Sequence, residues 1–388
     1  MDRTYYETLC AITLNRVMGY EPAVARRLIS TFGSPGAVFD QSPSALDAAF
    51  GPFSKWRGAI CQAELDLSEQ EFEPLRREGC AFVYYGGAGY PPLLAECPDA
   101  PVGLYIRSCT PPEEVFAPRR AVSVVGTRDI SPYGKEWTQR IVDAVSRTPA
   151  KPLIVSGLAL GVDITAHTAA LECGLPTVAV IPVGIDSIYP ARHRIVAERM
   201  AATPGCALVT DFPPGTSPVA FNFLRRNRII AGLSHATILT ESKSKGGGTL
   251  TARLAAGYGR EVFALPGRID DLRSAGCNRL IMEKIAEPLT NLCELAGQLG
   301  LGSVSLQKGP ALEESVRACY SNADSQTVER LVAVAQTIRI NRGIGPEEIC
   351  RELGLDFGSV SAAICLLESD GFISTDLLQH CTINHKKY

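Results

Sequence analysis

The sequence predicts an α/β protein whose centre is a doubly wound, mostly parallel sheet. In the middle of the chain, short runs of Val, Ile and Leu alternate with amphipathic segments, which is the pattern of repeated β-α-β units. These apolar runs are continuous and bounded by Gly, Pro or Ser, as expected for strands that are buried on both faces. The ligand site of such a sheet lies where loops leave the carboxyl ends of its strands.

The central elements follow one another in a regular order. The predicted strands are 121–125, 153–156, 177–182, 207–210, 236–240 and 261–265. The predicted helices are 134–146, 163–172, 192–202, 225–233 and 249–258. Two further strands, at 81–85 and 102–106, are expected to join the same sheet across a Gly- and Pro-rich turn.

Both ends of the chain predict smaller modules. The first 72 residues contain short helices, one of which, at 21–32, stops at a cluster of Gly, Ser and Pro. The last 76 residues or so predict three to four helices and then a hairpin, the order of a winged helix-turn-helix. The predicted domains are a helical domain at 1–72, a sheet domain at 78–299, a linker at 300–312 and a winged-helix domain at 313–388.

The elements of the last module are set by apolar periodicity and by one turn. Its predicted helices and hairpin strands are 316–320, 327–338, 347–353, 358–369, 372–377 and 381–383. The turn between the last two helices contains Gly354 and Gly358, where a helix-turn-helix requires a sharp change of direction.

Composition excludes several classes of protein. The 388 residues carry a net charge of −3 with 46% hydrophobic residues, which is ordinary for a globular chain and compatible with a local basic groove. The 13 cysteines show no C-x-x-C spacing, so neither a zinc site nor a redox dithiol is expected. No leader segment and no run long enough to span a bilayer is recognisable, which predicts a reduced, cytoplasmic protein without metal or membrane contact.

A cluster of arginines is the strongest sign of a phosphate ligand. Arg225, Arg226, Asn227 and Arg228 directly precede the apolar run 229–233, and the pattern places them at the start of a helix. Guanidinium groups are permanently charged and contact phosphate oxygens through two parallel donors. The alternative is that one or more of these groups bonds a buried carboxylate or carbonyl instead.

A glycine-rich loop forms the second predicted phosphate site. Gly246, Gly247, Gly248 and Thr249 open a helix and follow Lys243 and Lys245. The free N–H groups of a helix start bind anions, and glycines allow the backbone to approach them closely. No Gly-Lys-Ser/Thr follows the glycines, so the loop is not a Walker A motif and ATP hydrolysis is not expected.

The loop after the first strand of the main series adds a third candidate. Gly126 and Thr127 allow a tight turn, and Arg128 is expected at the carboxyl edge of the sheet, although a surface arginine is the simpler alternative. The following residues do not complete a G-x-G-x-x-G pattern, which argues against a dinucleotide enzyme.

The next strand ends in another possible anion-binding turn, Ser156 and Gly157. The helix after it begins near Asp163, which is expected to cap that helix and to hold His167 in the core. Further along, Arg192 and Arg194 lie in the first turn of a predicted helix, where the helix dipole disfavours cations unless an anion is bound nearby. A solvated basic face is the competing interpretation.

Taken in order, these motifs resemble those of the DprA/Smf family, the DNA-processing proteins of natural transformation. The resemblance covers roughly residues 84–290 and is carried by the segments 124–128, 156–163, 166–167, 184–186, 189–190, 226–234, 247–252, 265–267 and 276–281. The flanking modules resemble the family's N-terminal module of SAM or helix-hairpin-helix type and its C-terminal winged helix.

The resemblance implies a Rossmann-like fold that binds single-stranded DNA without regard to sequence and performs no chemistry on it. It further implies a homodimer that protects incoming strands and helps to load RecA recombinase onto them, with no cofactor. Arg128 and the Arg226–Arg228 segment fall where the family places groove residues, and Arg192, Arg194 and Lys243 are weaker correspondences.

Two other classes of function are weighed against this one. A nucleotide phosphoribohydrolase of a related family would show P-G-G-x-G-T-x-x-E, but Ala252 stands at the position of the acid. A duplex-DNA regulator would need a basic recognition helix, whereas the segment 358–369 is poor in Lys and Arg and ends near Glu368 and Asp370.

Overall fold

A computed structural model describes residues 2–51, 54–117, 119–302, 312–341, 343–376 and 378–383. The chain forms two compact units, Met1–Val304 and Ser305–Tyr388. Most of the predicted linker at 300–312 and the predicted strand end at Leu377 lie outside the described residues. The two units are described separately below.

A nine-stranded sheet forms the centre of the first unit. Its strands are β1 Cys80–Tyr84, β2 Gly103–Arg107, β3 Ala121–Val125, β4 Leu153–Ser156, β5 Thr177–Val180, β6 Ala207–Thr210, β7 Ala236–Leu239, β8 Glu261–Ala264 and β9 Glu287–Pro288. Their spatial order is β1-β2-β6-β5-β4-β3-β7-β8-β9. Strands β3 to β9 pair in parallel, and only β1 and β2 run antiparallel to their neighbours among the described strands. The predicted mostly parallel sheet is therefore confirmed.

Helices cover both faces of this sheet. They are α1 Arg3–Met18, α2 Pro22–Phe32, α3 Pro35–Phe39, α4 Pro43–Phe50, α5 Gln62–Arg77, α6 Pro92–Ala95, α7 Pro112–Val115, α8 Pro132–Ser146, α9 Val162–Glu172, α10 Arg194–Ala201, α11 Ala220–Gly232, α12 Gly247–Gly257, α13 Ala275–Met282 and α14 Leu292–Gln298. Alternate residues of β3 enter different cores: Val122 and Val124 pack with α8 and α9, while Ala121 and Val125 face the side of α11 and α12. Burial on both faces explains why the strands are continuously apolar.

Helix α11 begins five residues before its predicted start at Arg225. Pro218 is the last residue upstream that breaks a helix, and the segment Ala220–Leu224 contains none, so the helix extends back to Ala220. The arginines consequently lie inside the helix and not in its first turn.

The N-terminal helices share a core with the sheet. Ala11 and Ile12 of α1, and Phe72 of α5, belong to the same buried cluster as Tyr105 of β2. Phe82 and Tyr105 pack edge to face there, with ring centroids 4.7 Å apart. The separate helical domain at 1–72 and the start of the sheet domain at 78 stay predictions, since the structure keeps both within one compact unit.

The second unit contains helices and a hairpin around its own core. Its described elements are α15 Leu312–Cys319, α16 Ser325–Ile340, α17 Pro346–Leu353, α18 Phe357–Ser369, β10 Ile373–Thr375 and β11 Cys381–Ile383. Gly354 ends α17 in the left-handed region at φ +64°, and Asp356 caps α18 by accepting from the Ser359 N–H at 2.9 Å. The order of elements is the one expected, and the winged-helix assignment stays a prediction.

Within the described ranges, the longest and most apolar helices fall short of what a membrane crossing requires. The same residues contain no group of three or more His, Cys, Asp or Glu side chains placed to hold a metal ion.

Candidate functional site

A cavity of about 670 Å³ opens at the carboxyl edge of the sheet, where the loops after β3 and β7 meet α11. Its lining includes side chains and backbone from four segments: Val125–Asp129, Ala159 with Asp163, one face of α11, and Ser242–Thr251. This is the position that a doubly wound sheet predicts for its ligand. Ten of the predicted site residues line it: Gly126, Thr127, Arg128, Arg226, Asn227, Lys243, Lys245, Gly246, Gly247 and Gly248.

The loop after β3 is held rigidly by Glu241. The Thr127 N–H donates to the Glu241 backbone carbonyl at 2.7 Å, the Ser131 N–H donates to Glu241 Oε2 at 2.9 Å, and the Ser131 hydroxyl donates to Oε1. A Cβ on Gly126 would lie 2.5 Å from Val162 Cγ2, so only glycine fits this approach. The loop therefore presents Arg128 from a fixed backbone.

Arg128 is exposed at the mouth of the cavity and lies over an aromatic ring. Its guanidinium carbon is 4.6 Å from the ring centroid of Phe223, a cation–π contact. Arg128 forms no ion pair with a carboxylate of the described residues, and its side chain is exposed. A planar cation stacked on a ring is suited to both a phosphate and a nucleobase.

Arg226 lines the cavity but is committed mainly to the fold. It is 3% exposed, and its Nη1 donates to the Gly157 carbonyl at 2.6 Å and to the Val180 carbonyl. A Cβ on Gly157 would lie 1.9 Å from that nitrogen, which explains the glycine. Burial lowers the pKa of Arg226 to about 10, partly offset by Asp163, so the group stays charged at neutral pH.

Asp163 is the buried carboxyl group of this site. It is 6% exposed, and the Ala159 N–H donates to its Oδ2 at 3.4 Å. Burial raises the pKa of Asp163, while the Arg226 charge acts in the opposite direction. The expectation that Asp163 holds His167 is wrong: His167 Nδ1 contacts Thr177 Oγ1 at 2.8 Å.

Arg225 and Arg228 point away from the cavity. Both contact Asp211 Oδ2, Arg225 at 3.2 Å and Arg228 more closely, and Asp211 is 3% exposed. Arg228 also donates to the Asp99 carbonyl, and Arg225 to the Gly19 carbonyl. Successive residues of a helix are 100° apart, so a run of arginines within α11 cannot share one face. The structure thus divides the predicted cluster. Arg225 and Arg228 bond a buried carboxylate and backbone carbonyls, which is the alternative to phosphate binding.

Asn227 joins α11 to the glycine-rich loop. Its Nδ2 donates to the Gly247 carbonyl at 3.4 Å. A Cβ on Gly248 would lie 2.9 Å from Gly126 Cα, so the two predicted phosphate loops touch through their glycines. A side chain on Gly248 would push the two loops apart, because its Cβ would collide with the Gly126 backbone.

The start of α12 faces the cavity together with two exposed lysines. Lys243 and Lys245 line the cavity, and α12 begins at Gly247. The first N–H groups of an α-helix have no partner within the helix and carry partial positive charge. Thr249 contacts Ser242 Oγ at 2.9 Å and the Lys243 carbonyl at 3.1 Å, so its hydroxyl stabilises the loop and does not face the cavity.

The remaining predicted residues lie elsewhere. Ser156 is buried and donates to the Val124 carbonyl at 2.7 Å. The Gly157 carbonyl accepts from Arg226 Nη1. Arg192, in a 3₁₀ turn, and Arg194, at the start of α10, are exposed and lie outside the cavity lining. The structure does not bring these two arginines to the site.

Sequence reasoning missed the aromatic part of the site. Phe223 and Leu224 line the cavity, and Leu224 is 52% exposed. Phe223 lies three and four residues before Arg226 and Asn227, the spacing that shares a helical face. The signal was present, but placing the helix start at Arg225 concealed it.

The fold and the site define a Rossmann-like α/β protein with a cavity at the carboxyl edge of its sheet, lined in part by Arg128, Lys243 and Lys245. The chain belongs to the family described as DNA recombination-mediator protein A, which it matches over residues 81–300. The resemblance to DprA/Smf proteins is therefore confirmed, and the family's role is in DNA recombination.

Several relatives support this assignment. Protein Smf of Synechocystis sp. is 29% identical over 386 residues, covering 93% of this chain and 95% of the relative. A putative DNA processing protein DprA of Mycobacterium tuberculosis is 31% identical over 75% of this chain and 77% of its own length.

Two solved structures share the fold. DNA processing protein A of Streptococcus pneumoniae is 28% identical, covers 77% of this chain and 99% of its own, and gives a TM-score of 0.63. DNA processing protein A of Helicobacter pylori, whose structure concerns its single-stranded DNA binding mode, is 28% identical over 57% of this chain and 95% of its own, with a TM-score of 0.50.

Proposed function

We propose that this chain binds single-stranded DNA without regard to sequence, in the cavity between α11 and α12. The observation that carries the proposal is the convergence of Arg128, Lys243 and Lys245 with the start of α12 around one cavity beside the Phe223 ring. The single-stranded DNA binding mode of the Helicobacter pylori relative supports the choice of ligand.

The charged part of the cavity suits the sugar–phosphate backbone. Arg128 and the two lysines are exposed and can contact phosphates without losing a structural partner. Contacts of this kind position a strand but carry no sequence information. The buried Arg226 adds a fixed positive charge behind them, and its Nη1 already donates to two backbone carbonyls.

The aromatic part suits an unpaired base. A ring stacks on any base because every base has a π face, and such contacts are available only when the strand is single. Arg128 lies over the Phe223 ring, so a base can stack on the outer side of this exposed guanidinium while its phosphate contacts the lysines nearby. Duplex DNA, whose bases are already stacked, cannot use this contact.

A nucleotide phosphoribohydrolase is the second candidate. In its favour, Asp163 is a buried carboxyl group at the cavity with a raised pKa. Against it, the position of the catalytic acid in that class is held by Ala252, which is fully buried. We therefore propose that the chain is not an enzyme and needs no cofactor, and release of free base from nucleoside monophosphates would contradict this.

The proposed role in the cell is to protect incoming strands in the cytoplasm and to deliver them to RecA, with the chain acting as a homodimer. Surfaces for such partners are available. Ile269 is 97% exposed, and Leu272 and Met282 are each 75% exposed, all within one stretch near α13. Sedimentation of the full chain, alone and with RecA, tests both partnerships.

The test of strand binding compares single-stranded with duplex oligonucleotides across a salt series. The parent is expected to prefer the single strand and to weaken steeply with salt, and Arg128→Ala should reduce the salt slope by about 0.7 per lost phosphate contact. Arg199→Ala, which removes an exposed arginine of α10 outside the cavity lining, is the matched control. Equal binding by Arg128→Ala, Lys243→Ala and the parent at low salt would overturn the cavity assignment.

A further inference from the structure

An exposed apolar strip runs from the mouth of the cavity onto the N-terminal helices. Leu224 lines the cavity and is 52% exposed, and Phe221, three residues earlier in α11, is 59% exposed. Residues three apart are neighbours on a helix surface. The Phe221 ring in turn stacks on Tyr20, which is 63% exposed, with ring centroids 6.1 Å apart and planes 28° from parallel. We name Leu224, Phe221 and Tyr20 the aromatic strip.

The aromatic strip rests on positive charge. The guanidinium carbon of Arg225 lies 4.3 Å from the Tyr20 ring centroid. Arg225 and Arg228 share the single carboxylate of Asp211, so the group of three carries one excess positive charge. An exposed aromatic surface above a buried cation is favourable for an anion-bearing ligand with flat rings, and unfavourable for a basic partner.

We propose that the aromatic strip is a second stacking platform for single-stranded DNA, continuing the strand from the cavity onto the N-terminal helices. The inference rests on the proposed function. A strand held in the cavity is a polymer, so its neighbouring nucleotides must leave through the mouth, and Leu224 forms part of that mouth. The exposed rings next to it are Phe221 on α11 and Tyr20 in the turn between α1 and α2.

The proposal gives the N-terminal helices a direct role in binding. Arg225 donates to the Gly19 carbonyl, next to Tyr20, so α11 and the end of α1 are tied together at this point. The platform is therefore composed of both segments in a fixed arrangement. Base stacking on a ring contributes about 1–3 kcal/mol per base, which corresponds to roughly fivefold to hundredfold in affinity.

The experiment measures the affinity of the full chain for oligothymidylates of about 4 and about 16 nucleotides, the limits of typical site sizes. Phe221→Ala is expected to weaken binding of the long strand about tenfold and to change binding of the short strand less than about twofold. Phe221→Trp should bind as the parent, whereas Phe221→Leu, which keeps apolar surface but lacks a ring, should resemble Phe221→Ala. Phe357→Ala, an equally exposed phenylalanine (54%) in the second unit, is the control.

The outcomes separate this inference from the proposed function. If the parent binds neither strand, the proposed function itself fails. If the parent binds both and Phe221→Ala matches it at both lengths, the strip is not a DNA platform and a protein partner becomes the better explanation. Normal binding by Phe221→Leu would also overturn the inference, because it would show apolar contact without stacking. Tyr20→Leu removes the other ring of the pair, and like Phe221→Leu it should weaken binding of the long strand.

Discussion

The two sides of helix α11 use the same residue type for different purposes. On the cavity side, Arg226 lies beside Phe223 and Asn227 and forms part of the wall of the proposed DNA site. On the other side, Arg225 and Arg228 pair with Asp211 and fasten the helix to the N-terminal segment and to the loop at Asp99. The comparison teaches that adjacent arginines must be assigned by helical phase and not by proximity in sequence.

The largest effect should come from breaking the Asp211 side. Asp211→Ala leaves two guanidinium groups buried without their carboxylate, and we expect a loss of about 3–5 kcal/mol in the free energy of unfolding. Thermal and urea unfolding measure this loss. Affinity of the folded fraction for short strands of about 4 nucleotides should change little, because neither arginine lines the cavity.

Asp270→Ala is the control for that prediction, since Asp270 pairs with Arg268 at the surface, with side chains 65% and 81% exposed. It should leave the unfolding curve unchanged. Similar unfolding curves for both aspartate variants would show that the Asp211 side is not structural.

A smaller effect is expected on the cavity side. Gly157→Ala places a methyl group 1.9 Å from Arg226 Nη1, so the guanidinium must leave the Gly157 and Val180 carbonyls. We expect a loss of about 2 kcal/mol in unfolding free energy from overpacking, together with weaker strand binding. Denaturant unfolding and oligonucleotide titration on the same preparation measure the two effects.

Gly257→Ala is the matched variant for this prediction. Its added Cβ meets no atom within 4 Å, and it ends helix α12. Alanine should leave stability unchanged or raise it by about 0.5–1 kcal/mol. Equal behaviour of the two glycine variants would contradict the close approach of Arg226.

The smallest effect concerns the residue buried behind Arg226. Burial, reinforced by the Arg226 charge, lowers the pKa of His167 from its ordinary 6.5 to about 3. Between pH 6.5 and about pH 3, His167 is therefore protonated in the unfolded chain and neutral in the folded chain. The contribution of His167 to stability is complete above pH 6.5 and decreases as the pH falls toward 3, by about 1.4 kcal/mol near pH 5.5.

The measurement is the difference in unfolding free energy between neutral pH and about pH 5.5, for the parent and for His167→Gln. The variant should lose less on acidification than the parent by about that amount. An identical pH dependence in both proteins would show that His167 titrates normally in the folded state.

Much of the fold could be predicted because it depends on local pattern. Strands β3, β4 and β6 occupy the predicted residues, since continuous β-branched runs bounded by breakers have few alternatives. The sequence pattern predicts the start of α11 too late, because a row of polar residues suggests a helix boundary, although a helix tolerates such residues wherever its phase exposes or pairs them. The sequence predicts the loops of the site but not Phe223, because Phe223 precedes the predicted start of the helix.

The sequence by itself determined the parallel sheet, the glycine loops at its carboxyl edge and the membership of the family, because these depend on short motifs in a particular order. Only the tertiary structure decided which arginines face the cavity, that Asp211 neutralises part of the cluster, and that Phe221 meets Tyr20 from a segment about two hundred residues away in the chain. The physical reason is that a side chain's function depends on its direction and its partners. Both are set by packing between segments that the sequence does not place side by side.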